Sequence, residues 1–131
     1  MIETELKHLI IPTSTHIPSI ASRLYIANFP TSSVTYPCAI MYSISRYDED
    51  HNCNLFTDRI QFSVYADTLS SAQTIADAIK DKLKRFQGSP SALSTMYVII
   101  NSIFDNMSYM YDDRVLKHVK ILDMIIRYRS T

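Results

Sequence analysis

A chain of 131 residues and 15.1 kDa is one domain's length, residues 1–131, with room for a single core. Hydrophobic residues make up 47% and charged residues 20%, which predicts a folded chain. Thirteen Lys+Arg against 13 Asp+Glu argue against a general nucleic-acid binder, which would carry a basic excess.

Ile2, Leu6, Leu9 and Ile10 fall on one face of an N-terminal helix, which Pro12 ends. Residues 13–19 read as loop, 23–30 as a short strand or extended segment closed by Pro30, and 31–37 as loop again. From Cys38 the period becomes two. Cys38, Ile40, Tyr42 and Ile44 share one face, and Ala39, Met41, Ser43 and Ser45 the other. Ile60, Phe62 and Val64 alternate in the same way with Arg59, Gln61 and Ser63, so the two runs predict an antiparallel hairpin with a long polar tip, DEDHNCNLFT.

A helix follows, with Leu69, Ala72, Ile75, Ala76, Ile79, Leu83 and Phe86 as its apolar stripe. Thr68 or Ser70 can cap it, and Ser70 with Gln73 matches a capping box. Gly88 and Pro90 mark its end, the glycine as a left-handed cap. Residues 96–104 are a β-branched run. A polar turn around Tyr111, Asp112 and Asp113 leads to a last strand in which Leu122, Met124, Ile126 and Tyr128 alternate with Ile121, Asp123, Ile125 and Arg127. The predicted architecture is α+β: a mainly antiparallel four-stranded sheet with a β-β-α-β-β core, an N-terminal helix, and one long helix packed on the sheet.

One glycine leaves no GxGxxG, P-loop or GxSxG motif, since each needs several positions without a Cβ. Cys38 and Cys53 form no CxxC pair, which fits a reducing compartment. The opening MIETELKHLI carries Glu3 and Glu5 where a secretory leader would be basic, and no run reaches the roughly 18 apolar residues of a spanning helix. The expectation is a cytoplasm-like environment and no membrane.

Asp48, Asp50 and Asn52 are spaced like the first ligands of an EF-hand loop, but Cys53 stands at the glycine position and Arg59 at the bidentate glutamate position. A solvated acidic tip explains them better. His8, His16, His51 and His118 lie on separate segments without zinc spacing. His51 and Cys53 are two apart, too close in sequence to converge as a nucleophile pair. The expectation is therefore no catalysis, no cofactor and no metal.

Charge is uneven along the chain. Residues 48–113 carry ten acidic and five basic groups, and 114–131 five basic (Arg114, Lys117, Lys120, Arg127, Arg129) and one acidic. An acidic tip and a basic last strand would complement each other between copies packed head to tail. Lys80, Lys82, Lys84 and Arg85 complement the helix dipole and need no partner. Nine Tyr and five Phe without Trp form a Tyr-rich set of the kind enriched at interfaces. Tyr97, Tyr109 and Tyr111, with Arg114, Lys117, Val119, Ile121, Ile125 and Arg127, make a candidate subunit interface. Here Val119, Ile121 and Ile125 seek cover from a neighbour.

Arg23-Leu24-Tyr25 with Pro30, Tyr36 to Tyr42 (a Pro-led strand), Arg59 to Ala66 (ending Val-Tyr-Ala), the Ala72, Ala76 and Ile79 helix, and the closing Ile126-Arg127-Tyr128 are ordered along nearly the whole chain, about residues 1–129. In that order and spacing the chain resembles the tail-completion (tail-terminator, tail-to-head joining) proteins of long-tailed bacteriophages and prophages. The tip here is acidic and Asn-rich where such proteins usually carry more glycine. The resemblance implies a structural virion protein at the tail-head junction, assembled in the host bacterial cytoplasm. Such a protein caps the tail tube, ends its polymerisation and joins the head by binding alone. The implied partners are its own copies in a hexameric ring, the major tail tube protein, a head-completion or connector protein, and passing genomic DNA without sequence recognition. Asp48, Glu49, Asp50, His51, Asn52 and Asn54 are then expected at the ring lumen or a ring contact. The alternatives are a neck or head-closure protein of the connector, or a small ferredoxin-like ligand-binding domain or enzyme.

Overall fold

The computed structural model describes residues 2, 4, 6–7, 23–28, 34–50, 54–84, 86–89 and 97–130, with Asp50 by its backbone alone. Among the described residues, five strands and one long helix follow in chain order: β1 (Leu24–Ile26), β2 (Cys38–Asp50), β3 (Leu55–Ala66), α1 (Leu69–Leu83), β4 (Tyr97–Asp112) and β5 (Lys117–Ser130). They form one sheet in the order β1-β2-β3-β5-β4.

Alternation fixes which side of the sheet faces the helix. Ile60, Phe62 and Val64 of β3 oppose Met124, Leu122 and Lys120 of β5, while Met41 and Ala39 of β2 oppose Phe62 and Val64. Apart from Lys120, these residues are buried apolar side chains on one face. Burying them against α1 is the main favourable term in folding. The helix contributes Ala72, Ile75, Ala76, Ile79 and Leu83, lies over β5 and β3, and touches β4. Ile2, Thr4, Leu6 and Lys7 are helical. Ile2 and Leu6, one turn apart, are both 0% exposed and join the same core, while Leu9, Ile10 and Pro12 lie outside the described residues.

The sheet has five strands where four were expected. β1 adds parallel to β2, with Leu24 opposite Ala39 and Ile26 opposite Met41. The short strand or extended segment expected at 23–30 is a strand over Leu24–Ile26, and its pairing makes it part of the sheet. The hairpin is also longer than its alternation indicates. β2 continues to Asp50 and β3 starts at Leu55, so most of the polar DEDHNCNLFT segment is strand and the connection is 51–54. Bulges at Ile44 and Glu49 break the register, which hides the period. β4 likewise runs eight residues past Phe104, with bulges at Ile100 and Asp105.

Thr68 caps α1, its hydroxyl oxygen accepting from the Ser71 amide at 3.1 Å. The Ser70–Gln73 box does not form: Gln73 donates to Asp77 (2.9 Å), and the Ser70 carbonyl accepts the Thr74 hydroxyl (2.9 Å). Gly88 is not the helix cap. The helix ends at Leu83, with the Lys84 amide on the Lys80 carbonyl at 2.7 Å, and Leu69 at the other end of the stripe is 44% exposed. Gly88, at φ +115°, makes a two-bond bridge to Ile99 (2.9 and 2.8 Å) as the chain returns to the sheet. Glycine is required there because a Cβ disfavours that φ.

Candidate functional site

The β2–β3 arm carries the acidic segment and its counter-charges together. Glu49 faces Arg127 of β5 at 2.9–3.0 Å and also accepts the Thr57 hydroxyl. Those two partners, Thr57 first, hold its carboxyl below the ordinary range. One turn of the pleat inward, Asp58 is 0% exposed on the core face and receives three Arg46 contacts of 2.9–3.1 Å and the Tyr128 hydroxyl at 3.2 Å. On the opposite face Arg59 pairs with Asp105 and approaches Asp123 (3.8 Å), to which Gln61 donates at 3.0 Å. Gln61 in turn accepts the Tyr42 hydroxyl.

At the other end, Tyr109 and Tyr111 of β4 flank His118 of β5. Tyr109 stacks on it with a 2.7 Å contact from its hydroxyl to Nδ1, and Tyr111 meets it edge-on at 5.0 Å. Lys117 bonds Asp67 at 2.6 Å and lies over the Tyr36 ring at 4.9 Å; the carboxylate keeps its ammonium above the ordinary range. Arg114 binds Asp112 across the turn and holds that carboxyl low.

Between these ends, a shallow cleft of about 550 Å³ lies where the end of α1 meets β4, lined by Lys84, Gln87, Asn101, Ser102, Ile103 and Phe104. Ser102 is 1% exposed and its hydroxyl has no hydrogen-bond partner among the described residues.

The residues singled out from sequence therefore divide. Tyr109 and Tyr111 are 45% and 43% exposed at the β4 edge. Tyr97 instead packs edge-on against Tyr128 at the core. Val119 is 1% exposed, so its cover comes from its own chain and no neighbour is needed for it. Ile121 and Ile125 are half-buried on the face away from the helix. Arg114, Lys117 and Arg127 all hold ion pairs within the chain. The complementarity between acidic tip and basic last strand is thus met, at Glu49 and Arg127, inside one copy. Asp48 is half-buried, and Asn54 is exposed at φ +51°, its carbonyl accepting the Ser130 amide at 3.0 Å. His51, Asn52, Cys53 and Arg85 lie outside the described residues, and so does the Asp50 side chain.

Sequence reading missed the Arg46–Asp58–Tyr128 group, because a lone aspartate in an alternating run reads as solvent-facing. Its one signal was parity: Asp58 shares a phase with Ile60 and Phe62. Also missed were the exposed apolar residues Ile44 (48%), Tyr47 (67%), Ile103 (50%) and Met110 (44%). Among the described residues there is no cluster of three metal-ligating side chains, and no helix is long and apolar enough to cross a membrane.

No family model and no curated protein sequence matches this chain. Among solved structures, a chain from the "Virion of native gene transfer agent (GTA) particle" superposes with a TM-score of 0.72 at 12% identity, covering 97% of this chain and 93% of that one. At that identity the likeness is one of fold, and it extends over nearly the full length of both chains.

Proposed function

We propose that this protein is a structural virion component that caps the end of a phage tail tube, stops its polymerisation and forms the joint to the head. It acts by ring assembly and binding, with no chemical step. The observation that carries this reading is the near end-to-end fold match to a chain of an assembled virion. The residue-level resemblance to tail-completion proteins and the exposed tyrosine-lined edge of β4 support it. In this reading six copies form a ring on the sixfold tube. One side covers the tube's last subunits, and the other meets a head-completion or connector protein. The β2–β3 arm, with Asp48, Glu49 and Asp50, lies at the lumen, where negative charge repels DNA phosphates and lets the genome pass without sticking.

Negative-stain microscopy of particles made with and without the protein tests the proposal. Tails of uncontrolled length with no attached heads are expected in its absence. Tails of normal length carrying no heads would instead assign it to the neck, and normal particles would refute a virion role.

A further inference from the structure

Among the described residues the sheet has two open margins, on opposite sides. On one, β1 covers β2 only as far as Met41, so the β2 ladder from Tyr42 onward has no strand beside it among the described residues. On the other, β4 is an edge strand whose outer side is bridged, among the described residues, only at Ile99, by Gly88. Natural sheets blunt such edges with lysine, proline, bulges or short length. β4 from Asn106 to Tyr111 has none of these: it pairs with β5 without interruption and carries no charge. Tyr109, Met110 and Tyr111 there are more than 40% exposed, as are Ile44 and Tyr47 on the β2 margin.

We infer that β4 of one copy adds to the free β2 margin of the next, head to tail, so that the sheet continues from subunit to subunit around the ring. This deepens the ring reading above and rests on it. Three observations select a second copy as the occupant. First, β2, β3, β5 and β4 alternate in direction. The next copy's β2, set in the same orientation, therefore arrives antiparallel to β4 and prolongs the alternation. Second, β4 ends at Asp112, so laying it along Tyr42–Asp48 brings Tyr111 to Tyr42, where β1 leaves off, and Asp112 alone reaches the β1-paired Met41. Third, this register sets Ser45 opposite Ser108. Both lie on the sheet face away from α1, as their partners Arg59 and Ile121 show. The neighbour's Asp48–Glu49 then falls beside Phe104 and Asp105, at the rim of the cleft. There Lys84 holds no ion pair among the described residues and the Ser102 hydroxyl lacks a partner. Such a contact joins two different surfaces, which gives a ring where the rotation between copies closes and never a two-fold dimer.

Opposed residues in antiparallel strands have Cβ atoms about 4.5–5.5 Å apart, close enough for a disulfide after small adjustment. Within one chain, β2 and β4 are three strand spacings apart, about 14 Å, so no internal bond competes. The test is a Ser45→Cys/Ser108→Cys protein carrying Cys53→Ser, oxidised and run on denaturing non-reducing gels beside each single variant. A covalent ladder ending at six is expected from the double variant alone, with only monomer from either single one. Dimers from Ser108→Cys alone would mean that β4 pairs with β4, and would overturn the inference. So would a native ring that yields no ladder, and that result leaves the ring reading standing. A chain that never assembles, with tail tubes or without, overturns both.

Discussion

Arg46 has a side chain 47% exposed, and by that measure its loss should cost about 0–1 kcal/mol, as for a surface pair. Its partner decides otherwise. Asp58 is 0% exposed, opposite Ile126 and two residues from Ile60 on the core side of β3. Arg46→Ala removes three contacts of 2.9–3.1 Å and leaves the carboxylate with the Tyr128 hydroxyl at 3.2 Å. Orphaning a charge in a fully buried pair costs about 3–5 kcal/mol. Because the arginine is half open to solvent, water entering its place reduces this to about 2–3 kcal/mol, or roughly 10 °C in Tm for a chain of this length. The double variant Arg46→Met/Asp58→Leu buries no charge and should recover most of the loss. Urea unfolding followed by circular dichroism, with the slope unchanged, measures both. A loss below about 0.5 kcal/mol for Arg46→Ala would refute the idea that the partner's burial governs this pair.

Cys38 is buried, and desolvation raises its thiol to about 11. The unfolded thiol ionises near its ordinary value of about 8.5, so the folded state's advantage is complete below that value and disappears as pH rises to about 11. Urea midpoints should therefore fall across that window, and less steeply in Cys38→Ala, with parallel curves for the two proteins contradicting the assignment. Gly88→Ala meets no atom within 4 Å of the added Cβ, so its cost of about 1–2 kcal/mol comes from the backbone at φ +115° alone. Leu116, 67% exposed at φ +56°, has the reverse problem, and Leu116→Gly should raise stability by about 0.5–1 kcal/mol in the same urea assay. Neutralising Asp48, Glu49 and Asp50 together should lower phage yield while changing Tm little, because the Glu49–Arg127 pair it breaks is at the surface. Normal yield would remove the arm from the lumen.

Legibility followed the periodicity of each segment. Phe62, Val64, Leu122 and Met124 were readable as core because an uninterrupted period of two leaves one face to bury. Ala72, Ile75, Ala76, Ile79 and Leu83 were readable for the helical counterpart of that reason. The distal halves of β2 and β4 were not, since bulges at Ile44, Glu49, Ile100 and Asp105 shift the phase and polar side chains on a projecting ladder look like loop. At the candidate site, Tyr109 and Tyr111, read as subunit-interface residues, are exposed on β4, whereas Val119 and Tyr97, read the same way, have cover within the chain.

By itself the sequence determined the α+β class, the single long helix, the inward faces of β3 and β5 and the poverty of catalytic motifs, all of which are local or periodic properties. Only the tertiary structure decided that three residues near Leu24 form a fifth, parallel strand, that Asp58 goes inside with Arg46 and Tyr128, that Glu49 spends its charge on Arg127 of its own chain, and that β2 and β4 have free margins among the described residues. Each of these depends on which strand lies beside which. A backbone edge or a buried charge is defined by neighbours distant in sequence, and no local pattern of side chains records them.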